Sequence, residues 1–308
     1  MRSSESTAAV SGEGLALGAV VTSYESWPLA LRCVEGLRSW NRRLERIVLI
    51  DDHSPSSPEA LPTDSRVTVS VNQARLGFAA TLNRAVREVG TAVTVVFDAD
   101  AYPLSDVSLA VTGAFDREPR LGLLGFRTVD SKGLDSPSWS DEPRSLSLAA
   151  GQRLDGWLRR FRPARNGRGL CVHAAAFAVR REVFLALGGA DEELGFLDVD
   201  IDLSMRVRRE GWIVRWDPSL VAFHEGGGSR VSTRWRVLEF YRSRIRLLRK
   251  HGLVHGPRLL MAVVVTRLSL EWLLLAVLGG LLIRDADRRR DKILGRRELI
   301  RLVRHELG

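Results

Sequence analysis

Asp98 and Asp100 stand one residue apart at the end of an apolar run, "VVFDADAYP", Val95 to Pro103. On an extended chain alternate side chains point the same way, so the two carboxylates share a face. Held that close, they repel unless something positive lies between them. A divalent cation is one answer. A hydrogen-bonded turn is the other.

The elements around this pair alternate between β-rich runs and amphipathic helices. "LALGAVVTSY", "RIVLIDD", "RVTVSVN" and "AVTVVFDAD" read as strands. "PLALRCVEGLRSW" and "GFAATLNRAVREVG" read as helices, the first with Leu29, Cys33, Val34 and Leu37 on one face. Apolar strands separated by helices of this length predict an α/β fold with a mostly parallel sheet flanked by helices. In such sheets ligands bind beyond the carboxyl ends of the strands. Ser23–Tyr24, Asp51–Asp52 and Asp98–Asp100 all fall there, and three polar clusters on one edge favour the cation. From Thr128 to Arg168 the pattern loosens into loops, including the arginine cluster Arg159–Arg168, either a solvated loop or a binder of pyrophosphate or acidic glycan. "CVHAAAFAVR" reads as a strand, "DLSMRVRREGW" as a helix and "WRVLEFYRSRIRLLRKH" as a basic helix. There is no internal repeat.

The chain has 308 residues, 45% of them hydrophobic and 27% charged, within the globular range. Two cysteines, Cys33 and Cys171, exclude a disulfide framework and point to a reducing compartment. Residues 1–14 read as a loose tail without a signal peptide, so no export is expected. The last quarter, 234–308, holds 18 of the 46 basic residues but 7 of the 37 acidic ones. The rest is near neutral and lacks an aromatic-basic face, which argues against nucleic acid as a partner. The excess of arginine over lysine hints at a GC-rich bacterial source.

The order of motifs resembles the family 2 glycosyltransferases of GT-A fold, particularly the rhamnosyltransferase-like branch. "VVTSYES", "VLIDDHSPSS", "NQARLGFAATLNRAV", "FDAD", "REVFLALGGADEELGFLDVDIDLSMRVRREGW" and "WDPSLVAFHEGGGS" carry the likeness over residues 15–251. The resemblance implies inverting transfer of a sugar from a nucleotide-diphospho-sugar, with dTDP or UDP favoured, to a lipid-linked or cell-wall glycan. Departure of the diphosphate builds negative charge, which a fixed cation stabilises. By resemblance Asp100 ligates that ion, Asp98 holds the ribose or the ion's waters, and His224 completes the coordination. Oxygen donors with one imidazole suit Mg²⁺ or Mn²⁺. Without the resemblance, His224 reads as a loop histidine bonded to backbone.

The same likeness assigns the nucleoside slot to Ser23, Tyr24, Asp51 or Asp52, Arg75, Gly77 and Asn83. A capped turn is the alternative for the two aspartates. An attacking hydroxyl must lose its proton, and alignment puts Asp200 at the general-base position. Asp198 is a possible support, and Asp202 falls on a helix-start aspartate expected as an N-cap. Val199 replaces the family's glutamate, which admits a rival reading: a catalytically silent scaffold. Gly188, Gly189 and Asp191 fall on the acceptor side. "VSTRW" lacks the glutamine of processive synthases.

Residues 15–233 are thus expected as the transferase domain and 234–308 as a basic, apolar helical region. Leu259–Ile283 is long enough for a bilayer span, but Arg267 and Glu271 interrupt it and both flanks are arginine-rich. That pattern points to an in-plane or hairpin attachment to an anionic membrane at its cytoplasmic face, with a span or a packed helical pair as alternatives.

Overall fold

A computed structural model describes residues 14–40, 44–58, 60–151, 169–194, 196–226 and 233–308. The arginine cluster Arg159–Arg168 and the N-terminal tail through residue 13 lie outside them.

Four parallel strands build the first half: β1 (Leu17–Ser23), β2 (Leu44–Asp51), β3 (Val67–Val71) and β4 (Val93–Asp98), in spatial order β3-β2-β1-β4. The sheet continues through β10 (Ala176–Arg180), β6 (Leu121–Val129), β11 (Ile213–His224) and β5 (Ala101–Pro103). β7 (Asp135–Ser136) pairs with β6, while β8 (Trp139–Asp141) and β9 (Leu170–Val172) form a separate ribbon.

The sheet is mostly parallel, as expected, with β1, β2, β3, β4, β6 and β11 running one way, and it is mixed in that β10 runs antiparallel to both β4 and β6 and β5 runs antiparallel to β11. The stretch expected as one strand over 171–180 is broken at His173–Ala175. β9 belongs to the ribbon with β8, and the chain must turn to re-enter the main sheet as β10.

Helices cover both faces, which is why the strands are apolar throughout. On one face α1 (Trp27–Arg38) and α3 (Ser108–Arg117) bury Val34, Leu37, Val111 and Phe115 against Val21, Leu49, Phe97 and Phe126. On the other, α2 (Phe78–Val89), α5 (Arg181–Ala186) and α6 (Val199–Arg209) bury Leu82, Phe184 and Leu203 against Val20, Val48 and Phe177. The short α4 (Ser145–Ala150) leaves Leu148 to the C-terminal helices.

Those helices are α7 (Thr233–Lys250), α8 (Pro257–Leu282) and α9 (Ala286–Leu307). Tyr241, Ile245, Leu260, Val264, Leu299 and Val303 form their shared core. Pro257 opens α8, where its missing N–H costs nothing, and the Asp285 side chain caps α9 by accepting from the N–H groups of Asp287 and Arg288. α7 also reaches the sheet, since Leu247 is buried in its second core.

Candidate active site

Parallel register brings Ser23, Asp51 and Asp98 to one rim. Ser23 is buried there, and its Oγ has no hydrogen-bond partner among the described residues. Beside it the Arg75 guanidinium lies 4.0 Å from the centre of the Tyr24 ring, an outward-facing π-cation pair. Both expected aspartates serve the loops of the rim. Asp51 closes a turn by accepting from Ser54 N (2.7 Å) and Ser54 Oγ (2.6 Å). Asp52 accepts from Leu76 N and Gly77 N, each at 2.8 Å, and from Asn72 Nδ2. Burial works to raise the Asp52 pKa, yet these donors outweigh it and hold the carboxyl below its usual range. Asp52 thereby fixes Gly77, at φ +90°, as the N-cap of α2 beside Arg75.

Asp98 ends β4, and its N–H donates to Ala175 O across the rim. Pairing of β5 with β11 sets Ala101 opposite His224, so Asp100 Oδ1 comes within 3.5 Å of His224 Nε2. Hydrogen bonding to Asp100 raises the imidazole's pKa, against burial, which lowers it. Burial and then the charge of Asp100 push the Asp98 carboxyl up to about 8, with His224 pulling it back. Asp200 adds to the same negative field, and its Oδ2 accepts from Ala174 N, one residue from the carbonyl that the Asp98 N–H reaches. Two crowded carboxylates and an imidazole are a donor set that fits a hard divalent cation. Among the described residues no three His, Cys, Asp or Glu side chains enclose an ion by themselves.

Asp200 lies in the first turn of α6. Its Oδ2 accepts from Ala174 N and its Oδ1 from Ile201 N, both at 2.8 Å. Burial raises its pKa, and the nearby His173 opposes the rise. The sequence reading missed His173; its only signal is a polar residue interrupting "CVHAAAFAVR".

The other acidic residues are tied to α7. Asp198, at φ +63°, is ion-paired to Arg244. Asp202 is not the N-cap the sequence suggests; that position belongs to Asp198. Asp202 is fully buried and bonded to Arg206, Lys250 and His251. Asp191 pairs with Lys250. Val199 is buried in the core, so it fills space where the family carries glutamate.

Asn83, expected at the nucleotide, is buried and bonded to the turn before α6. Its amide donates to Ala190 O and Glu192 and accepts from Ala190 N, clamping the Gly188–Asp191 turn. Gly188 and Gly189 sit at φ +78° and +82°.

A mixed sheet covered on both faces, with its polar clusters gathered at one strand-end rim, is the architecture of the GT-A fold. The sequence model of glycosyl transferase family 2 matches residues 19–188, more than half of the chain, and the chain belongs to that family. The fold is similar to that of the mannosyltransferase PcManGT from Pyrobaculum calidifontis, solved in complex with GDP-Man and Mn2+. The TM-score is 0.58 at 16% identity, covering 96% of this chain and 88% of that one. S. aureus TarS aligns at a TM-score of 0.49 and 14% identity, over 75% of this chain and 38% of its own. No curated protein matches the sequence.

Proposed function

We propose that this enzyme is an inverting, metal-dependent glycosyltransferase. It moves one sugar, or a few, from a dTDP- or UDP-sugar to a lipid-linked or cell-wall glycan at the cytoplasmic membrane face. The observation that supports this reading is that Asp98 and Asp200, far apart in sequence, bond to adjacent residues of one loop, Asp98 N–H to Ala175 O and Asp200 Oδ2 to Ala174 N–H. The Mn2+ and GDP-Man bound by the mannosyltransferase of similar fold support the donor class and the metal.

The base and ribose lie along Tyr24, Arg75 and the unpartnered Ser23 Oγ. Asp98, Asp100 and His224 would hold Mg²⁺ or Mn²⁺ together with the donor's diphosphate oxygens. That ion supplies charge neutralisation for the departing diphosphate. Asp200 takes the proton of the acceptor hydroxyl as its oxygen bonds to the anomeric carbon. The bond from that carbon to the diphosphate breaks, and its electron pair leaves with the nucleotide. Burial makes Asp200 a stronger proton acceptor than an exposed carboxylate, and the two N–H donors aim it.

The test is thermal stabilisation of the purified protein by UDP, dTDP and GDP, with and without Mn²⁺. A metal-dependent shift with one nucleotide is expected. No shift with any of the three overturns the donor site.

A further inference from the structure

Helix α8 has two unlike sides. Inward, Arg267 donates to Glu271 and to the Tyr241 hydroxyl, both at 2.5 Å, and Glu271 accepts from Arg296 Nε at 2.6 Å. The two ionisable residues that make a span costly are thus both spent against neighbouring helices. Outward, Leu259, Val263, Leu270, Leu274, Val277 and Leu281 are 45–85% exposed. At roughly 100° per residue these six fall within an arc about 60° wide. An apolar stripe of that continuity on a soluble surface marks an interaction face.

What covers the stripe follows from α9. That helix runs back along α8: Arg289 packs on Gly279 at one end, and Gly308 approaches Met261 at the other. Between Arg288 and Arg304 it carries eight Lys and Arg residues. Arg288, Arg290, Arg297, Arg301 and Arg304 are exposed, as are Arg258 and Arg284 at the two ends of α8. If α8 crossed a bilayer, α9 would be drawn in with it. Each arginine near the bilayer centre then costs about 2.5–3.5 kcal/mol on the insertion scale. A second copy of this chain would bring arginine against arginine. An anionic lipid surface satisfies both features, its acyl boundary taking the leucines and its phosphates the guanidiniums.

We propose that α8 lies in the plane of an anionic membrane, seated by its outer stripe and held by the arginines of α9. This refines the membrane-face element of the reading above, and it does not require sugar transfer.

The full chain is mixed with sealed vesicles of phosphatidylcholine alone, or of phosphatidylcholine with phosphatidylglycerol, and floated on a density gradient. Flotation with the anionic vesicles is expected, weakening as NaCl rises. A triple variant, Leu274→Glu, Val277→Glu and Leu281→Glu, should stay at the bottom of the gradient. It should keep its nucleotide-dependent thermal shift, which shows that it folds. Cys33 and Cys171 are buried, so Arg284→Cys introduces one accessible thiol at the α8–α9 turn. A membrane-impermeant maleimide added outside the vesicles should modify it fully. Protection of that thiol means a span and overturns the proposal. So does indifference to vesicles combined with a dimer that the triple variant splits. Flotation without any nucleotide shift leaves the docking standing and overturns the donor reading instead.

Discussion

Arg244 of α7 and Asp198 at the start of α6 form a buried two-point ion pair, Nε to Oδ2 at 2.8 Å and Nη2 to Oδ1 at 2.7 Å. Asp198 holds a left-handed backbone, φ +63°, costly for a residue with a Cβ. The guanidinium thus secures a strained turn two residues before Asp200. Arg244→Met strands a buried carboxylate, and a stability loss of about 3–5 kcal/mol is expected. Adding Asp198→Asn, which tolerates that backbone and removes the charge, should restore part of it. Chemical denaturation of the two variants checks the order; equal stability would contradict the pairing.

Asp200→Asn keeps the shape of the side chain but removes its proton affinity. Turnover should fall by about 10²–10⁴-fold while nucleotide binding holds. Steady-state kinetics alongside a nucleotide titration separate the two, and an unchanged kcat would remove Asp200 from the mechanism.

Gly189 and Gly188 share similar dihedrals but not similar surroundings. A Cβ on Gly189 would lie 2.3 Å from Asn83 Oδ1, whereas one on Gly188 meets nothing within 4 Å. Gly189→Ala should therefore cost about 2–4 kcal/mol, and Gly188→Ala only the backbone strain of about 1–2 kcal/mol. Urea midpoints of the pair test the difference.

Asp202 governs acid stability. Burial pushes its pKa up, but hydrogen bonds from His251, Lys250 and Arg206 prevail and hold it at about 2. A carboxyl depressed from 3.8 stabilises the fold above pH ~4 and loses that contribution as pH falls toward ~2, about 2 kcal/mol in all. In Asp202→Asn the slope of stability against pH should flatten across that window, as followed by denaturant titration at each pH.

The first four strands were legible because each is a continuous apolar run with its polar residues at one end. β6 was not, since Gly122 and Gly125 dilute its pattern. A Cβ at Gly125 would come 2.4 Å from Val172 Cγ1, so close packing of the β8–β9 ribbon dictates a residue of no strand propensity. At the site, the family motifs singled out Asp98, Asp100, His224 and Asp200, and the structure sets Asp100 beside His224. Spacing alone does not tell a carboxylate facing ligand from one holding a loop, and Asp51, Asp52 and Asn83 all hold loops. The ties of Asp191, Asp198 and Asp202 to α7 join segments about 50 residues apart, and no local pattern announces them.

The reversed strand β10 has a consequence for how such an enzyme diversifies. Because it begins where β4 ends, the loop that aims Asp200 and the D-x-D loop hang side by side from one peptide hydrogen bond, Asp98 N to Ala175 O at 3.2 Å. On the reading proposed above, the residues assigned to the nucleoside precede that bond in the chain, while the candidate base and the acceptor-side turn follow it. On that reading, recombination near residue 175 would exchange acceptors while inheriting the nucleoside slot, and a lineage would explore new glycans without relearning its activated sugar.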